Sequence, residues 1–246
     1  MSGGAENVRA IITWILLHML HRPEIVAKMR AEIEMVVGND RAATLEDQPK
    51  LVYCQAFINE VLRHSNIVPT NPQHATVEDF KIRGHLIPKG SSIIAHLYAC
   101  HMSPEHWDEP EEFRPERFIN DEGKLINHKA FMPFGKGQRN CLGDVIAKSQ
   151  SFLFTTNFIQ KFNIQNPANE PLPSSKGHCG VTMSPAPFKI CVTLRESEAS
   201  LNIPKNPRLE LIIDNNNNDE DNIDEEVTKF QIDALDADRK SISRCA

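Results

Sequence analysis

The sequence predicts a mainly α fold with small β-sheets. Apolar residues recur at helical spacing in four stretches, 11–20, 25–36, 51–64 and 142–162. Around them lie only short runs of strand-like composition, at 80–82, 86–87, 92–99 and 190–194, punctuated by Gly or Pro. At 246 residues and 40% hydrophobic, the chain is long enough to bury a sizeable core.

Each element has its own justification. Ile11, Ile12, Trp14, Ile15, Leu16, Leu17, Met19 and Leu20 make a helix apolar nearly all round, as in the middle of a large core. Such a helix is either interior to a larger chain, of which this sequence is the latter part, or the first helix of a small bundle. Pro23-Glu24 opens a second helix with Ile25, Met29, Ile33 and Val36 on one face, stopped by Gly38-Asn39-Asp40. A third runs from Pro49 to about His64, burying Leu51, Cys54, Phe57, Ile58, Val61 and Leu62, until Pro69 and Pro72 break it. Residues 103–127, rich in Pro and charge, read as an irregular loop. The fourth helix, Leu142 to Phe162, carries Ile146, Phe152, Leu153, Phe154 and Phe158.

Charge divides the chain in two. From Glu196 onward there are 13 acidic and 6 basic residues, leaving 20 and 21 in residues 1–195. The expected domains are therefore a nearly neutral body, 1–195, and an acidic low-complexity tail, 196–246, with Asn215–Asn218 followed by acid runs. That tail is expected to be a disordered, solvated appendage. The net charge of -6 argues against nucleic acid as a partner. Six cysteines without a CxxC pair fit reduced thiols rather than a disulfide scaffold. Residues 1–10 do not read as a signal peptide, and no run of about 18 apolar residues is present to span a bilayer.

Three constellations carry chemical information. Glu60-Val-Leu-Arg63 puts a carboxylate and a guanidinium on one helix face. On a helix apolar on its other sides, such a pair needs a further polar partner. In Phe113-Arg-Pro-Glu-Arg-Phe118, Arg117 offers a planar fork of donors suited to a carboxylate, or stands solvated in its loop. In Phe134-Gly-Lys-Gly-Gln-Arg-Asn-Cys-Leu-Gly143, one Cys sits a residue or two ahead of a helix whose dipole would stabilise a thiolate. Gly137 and Gly143 let the backbone curl close around a bulky ligand, and Arg139 can meet an anionic group. These residues leave Cys141 three readings: a buried structural thiol, a reactive nucleophile, or a soft metal ligand. A nucleophile would want a partner base, and no His lies nearby in sequence.

Phe134, Gly137, Arg139, Cys141 and Gly143 match all five fixed positions of F-x-x-G-x-R-x-C-x-G, the haem-binding loop of the cytochrome P-450 superfamily. Glu60–Arg63 resembles that family's E-x-x-R helix, Pro115–Phe118 its P-E-R-F meander, and Gly3–Val8 the oxygen-activating segment of its long central helix. The wording is most similar to the animal microsomal branch that oxidises drugs, steroids and fatty acids. The resemblance covers residues 1–195 and implies the C-terminal half of the cytochrome P-450 fold, followed by the disordered tail.

The resemblance also implies roles. Cys141 would be the axial thiolate on the iron of haem b (iron protoporphyrin IX), with Phe134 shielding the sulfur. Arg139 and His74 match propionate-binding positions. Glu60, Arg63 and Arg117 would form a buried triad locking the meander beneath the Cys loop. Glu6 and Asn7 match the acid–alcohol pair that delivers protons to oxygen, with Asn7 replacing the usual Thr. Ile67–Asn71 and Lys176–Val181 match segments lining the substrate pocket.

The implied activity is a monooxygenase placing one atom of dioxygen into a lipophilic small molecule, fed electrons by an NADPH-dependent flavoprotein reductase. The implied location of the parent protein is the cytosolic face of the endoplasmic reticulum membrane, through an N-terminal anchor upstream of Met1. Asn7 keeps open an isomerase or dehydratase acting on peroxides, since Asn stands there in relatives of that kind. A third expectation is a non-catalytic fragment that does not hold haem.

Overall fold

A computed structural model of the chain describes residues 2–180, 182–195 and 209–213. Val181, residues 196–208 and residues 214–246 lie outside them, and with them most of the expected tail.

Among the described residues, five helices and nine short strands follow one another. Helix α1 (Ser2–His21) buries Ala10, Ile11, Trp14, Ile15, Leu16, Leu17, Met19 and Leu20, as its all-round apolar pattern requires. Pro at its first position starts α2 (Pro23–Val36), and Gly38, at φ +80°, ends the turn beyond it. The third helix differs slightly from the expectation: Pro49 lies in a separate 3-10 turn, Gln48–Lys50, and α3 runs Val52–Ser65. Asn66, left-handed at φ 45°, terminates α3.

Strands β1 (His74–Ala75), β2 (Phe80–Ile82), β3 (His85–Ile87) and β4 (Ser92–Ile93) form two small antiparallel pairs, β1 with β4 and β2 with β3. The strand expected over 92–99 stops at Ile93. From Leu97 the chain is a short helix, α4 (Leu97–His101), because the His96 ring caps it, Nδ1 accepting from the Ala99 N–H at 3.0 Å. Leu97 and His101, four residues apart, are its buried residues. The loop read at 103–127 contains one 3-10 turn, Pro115–Phe118. Helix α5 (Asp144–Lys161) begins two residues later than expected.

Strands β5 (Phe162–Gln165), β6 (Gly177–Cys179), β7 (Met183–Pro185) and β8 (Phe188–Leu194) close the body, β6 pairing antiparallel with β7. Strand β9 (Leu209–Ile213) corrects the assignment of residues 196–246 to a disordered tail for these five residues. It pairs along β8, Phe188 opposite Ile213 and Val192 opposite Leu209, giving the order β5-β8-β9. The reason is local: Leu-Glu-Leu-Ile-Ile is a strand-forming run set in an acidic neighbourhood.

The main core lies among α1, α2, α3, α5 and β8, around Ile15, Leu17, Met29, Phe57, Phe152 and Ile190. A second cluster, Ala56, Trp107, Phe118 and Ala130, seats the meander on α3.

Candidate functional site

The loop before α5 is wound tightly by backbone bonds. The Gly135 N–H donates to the Met132 carbonyl at 3.0 Å, residues 137–139 make one 3-10 turn, and the Cys141 N–H donates to the Phe134 carbonyl at 2.9 Å. Gly135 and Gly137 sit at φ +75° and +81°, where a side chain is strained. Gly143 differs from its expected role: its φ is -95°. It is the residue preceding α5, and a Cβ there would meet the Cys141 sulfur at 3.9 Å, an ordinary contact. Gly135 is the loop's second left-handed position, and its backbone faces the Asn71 side chain.

Cys141 is exposed, three residues ahead of Asp144 rather than one or two. Beyond it stand Leu142, fully exposed, with Val145 and Ile146 at 68% and 61%. Phe134 is partly buried against the core, with the Lys148 ammonium 5.1 Å from its ring centroid.

Between α3 and the Pro115–Phe118 turn, the structure brings Glu60, Arg63 and Arg117 together. Glu60 and Arg63 are wholly buried. The guanidinium meets the carboxylate in a fork, Nε to Oε2 at 2.7 Å and Nη2 to Oε1 at 2.8 Å. Oε1 also accepts from the Arg114 backbone N–H at 2.8 Å and from Arg117 Nε at 3.1 Å. Arg63 spends its remaining donors on the carbonyls of His101 (2.8 Å) and Glu112 (3.2 Å), and Arg117 on those of Asp108 (2.9 Å) and Glu112 (2.9 Å). Burial lowers the Arg117 pKa and Glu60 opposes that shift. A buried pair is tolerable when its remaining hydrogen-bonding capacity is used in this way.

Sequence reasoning missed the residue that joins this network to the loop. His101 is buried, and its Nε2 accepts from the Met132 N–H at 3.0 Å. Its only sequence signal was its place, four residues after Leu97 on an amphipathic turn.

The other expected residues are dispersed. Glu6 and Asn7 lie half-buried on the first turns of α1, Glu6 ion-paired with Arg9 at 3.3 Å. His74 is half-buried on β1, and Arg139 is exposed in the 3-10 turn. Segment 67–71 is tied to β7, the strand that pairs with β6 of the other expected segment: the Met183 N–H donates to the Ile67 carbonyl at 2.7 Å, and Trp14 Nε1 donates to the Met183 carbonyl at 2.9 Å. Trp14 also lies under Gly177, where an added Cβ would approach its ring to 2.9 Å. A cavity of about 530 Å³ opens among α3, residues 125–129, the Cys141 loop and the start of α5, with Gln55, Asn59, Phe134, Asn140 and Lys148 in its walls.

Comparison with known proteins gives this arrangement a family. The family model described as Cytochrome P450 matches residues 1–192. The chain belongs to the cytochrome P450 family.

Among relatives, cytochrome P450 18a1 of Drosophila melanogaster is 41% identical over 194 residues, covering 79% of this chain and 36% of that protein. Farnesoate epoxidase of Bombyx mori is 37% identical over 201 residues, covering 82% and 41%. A zebra fish cytochrome P450 solved with abiraterone superposes with a TM-score of 0.73 at 34% identity, covering 79% of this chain and 45% of that one. The chain spans about two fifths of the length of these curated relatives.

The residues present suit the haem of this family. An exposed thiol flanked by the exposed apolar Leu142, Val145 and Ile146 offers one soft ligand beside a surface that a flat apolar ring would cover. Among the described residues no group of three or more His, Cys, Asp or Glu could hold a bare metal ion, and no helix is long and apolar enough to cross a membrane.

Proposed function

We propose that this chain provides the thiolate side of the haem b site of a monooxygenase. Cys141 would supply the thiolate that holds the iron, Phe134 would limit water at the sulfur, and Gly135 and Gly137 would allow the tight loop. Gly143 would sit against the sulfur at the start of α5. Arg139 and His74 would pair with the propionates as charge-assisted donors. When bound, thiolate-held haem supplies dioxygen activation, with one oxygen atom entering the substrate and the other leaving as water. The observation that carries the reading is the exposed Cys141 thiol, on a residue whose backbone N–H donates to the Phe134 carbonyl, beside an uncovered apolar patch.

Glu60, Arg63 and Arg117 act from below as a rigid base for the loop. Glu6 and Asn7, at the start of α1, would pass protons toward the haem face, and Glu6 must leave Arg9 to do so. The substrate is a lipophilic small molecule, in keeping with relatives named for farnesoate epoxidation and solved with abiraterone or progesterone. It would lie near 67–71 and 176–181. The electron donor is an NADPH-dependent flavoprotein reductase, and the place of action the cytosolic face of the endoplasmic reticulum, reached through an anchor in a longer form of the chain.

The test is reconstitution of the 246-residue chain with haem. Thiolate ligation gives the reduced carbon monoxide adduct a red-shifted Soret band, and Cys141→Ser is expected to abolish it while the apoprotein stays folded. An identical band in the serine variant would overturn the assignment.

A further inference from the structure

We propose that His101 is a positioning residue, transmitting the placement of the buried Glu60–Arg63 pair to the Cys141 loop through a one-directional chain of hydrogen bonds. The directions can be assigned atom by atom. The Met132 amide can only donate, so the Nε2 it meets at 3.0 Å carries no proton. The proton of the neutral ring is therefore on Nδ1, which donates to Asn66 Oδ1 at 2.8 Å. The Asn66 amide nitrogen in turn donates to the Arg63 carbonyl at 2.6 Å, which fixes its Oδ1 toward His101. Arg63 closes the ring of contacts by donating from Nη1 to the His101 carbonyl at 2.8 Å. His101 is thus held at its backbone and its ring by the end of α3, and presents one acceptor to the loop.

That acceptor has leverage because of where Met132 sits. Its carbonyl takes the Gly135 N–H, which starts the left-handed turn, and two residues beyond it the Phe134 carbonyl takes the Cys141 N–H. The Phe131 ring lies 5.9 Å from the His101 ring, against the same cluster as Phe118. A shift at Met132 therefore moves both backbone bonds that set the sulfur's height. The buried pair does not bond the loop directly: among the described residues, the partners of Glu60 and Arg63 lie on α3, at the end of α4 and in the meander loop, not in residues 131–143.

The connection to haem rests on the function proposed above, whereas the bond to Met132 does not, so two readouts separate them. His101→Gln places Oε1 where Nε2 accepts, keeping the Met132 bond. His101→Asn places Nδ2 where Nδ1 donates, keeping Asn66 but losing Met132. Amide exchange is read in the haem-free 246-residue chain. In the unsubstituted chain the Met132 amide is expected to exchange as slowly as the amides of α3, and exchange at the rate of an open loop would sink the proposal whatever the variants do. In His101→Asn, Met132 exchange is expected to rise at least about tenfold with the Phe57 amide changed less than about threefold, and His101→Gln to restore protection. Equal acceleration of both amides in His101→Asn, or none, would overturn the positioning role. After haem addition, His101→Asn is expected to lower the fraction of red-shifted carbon monoxide adduct at least about threefold relative to His101→Gln, and equal fractions would remove the link to the sulfur. If even the unsubstituted chain shows no such band, the haem reading fails while the Met132 exchange still decides the tether.

Discussion

A carboxylate shut away from water is stable only while its oxygens are occupied, and Glu60 meets that condition with four donors at 2.7–3.1 Å. Glu60→Ala would leave the Arg63 guanidinium buried without a counter-charge. The expected cost is about 3–5 kcal/mol, read as a lowered urea midpoint, and an unmoved midpoint would contradict the account. The Glu60–Arg63 pairing was legible in the sequence because a three-residue spacing on a helix is local information. Arg117 stood out as a donor fork suited to a carboxylate, but its pairing with Glu60 was reached only through a family motif, since it stands 57 positions away and no periodicity links them. The Arg114 amide and His101 were not legible, because their bonds are made by loops folding back. Gly135 escaped for another reason: several glycines share the loop, and only backbone angles show which are left-handed.

Helix α3 shows how an element can depend on its neighbour. Its N-cap, Leu51, has no side chain able to accept from the first turn. Glu32 of α2 performs that service, its two oxygens accepting from the N–H groups of Tyr53 (2.7 Å) and Cys54 (2.9 Å). Glu32→Ala is expected to cost about 1–2 kcal/mol and to speed amide exchange at Tyr53 and Cys54, with the far end of α3 unaffected. Exchange unchanged at those two amides would refute the capping. At this scale the long helices were readable from their period, since apolar stripes survive any tertiary context. The short elements were not. The run 92–99 has two adjacent isoleucines and so suggested a strand, but His96 supplies a cap and Leu97 a buried anchor, and the chain turns helical. Strands β5, β6 and β7 have three or four residues each, too few for alternation to show.

Across the whole molecule, buried histidines link stability to acidity. Burial holds the His64 and His101 pKa values at about 4 and pushes that of His18 well below its ordinary value. Each ring is already committed as a neutral group. His18 Nδ1 accepts from Arg22 at 2.9 Å, leaving its Nε2–H to donate to Ser65 at 3.0 Å, and His64 Nε2–H donates to the Glu111 carbonyl at 3.0 Å. At His64 and His101 the unfolded chain takes up a proton near pH 6.5 and the folded one only near pH 4, and His18 is shifted in the same direction. Their contribution is therefore complete above about pH 6.5 and is lost as pH falls toward about 4, at up to about 1.4 kcal/mol per pH unit for each group. The thermal midpoint is expected to be level above pH 7 and to fall steeply between pH 6 and 4.5. Asp47, held low by its bonds to Arg41 and Thr44, adds its own loss only at still lower pH. A midpoint flat from pH 7.5 to 4.5 would show that the rings titrate normally.

Because β8 runs down the middle of its sheet, both of its flanks are satisfied, one by β5 and the other by β9. A protein shortened to end at Arg195 would leave seven residues, Phe-Lys-Ile-Cys-Val-Thr-Leu, with one rim of amides and carbonyls bare. Such rims invite other copies to stack alongside. The five residues beyond the apparent end of the body thus guard the molecule against self-association.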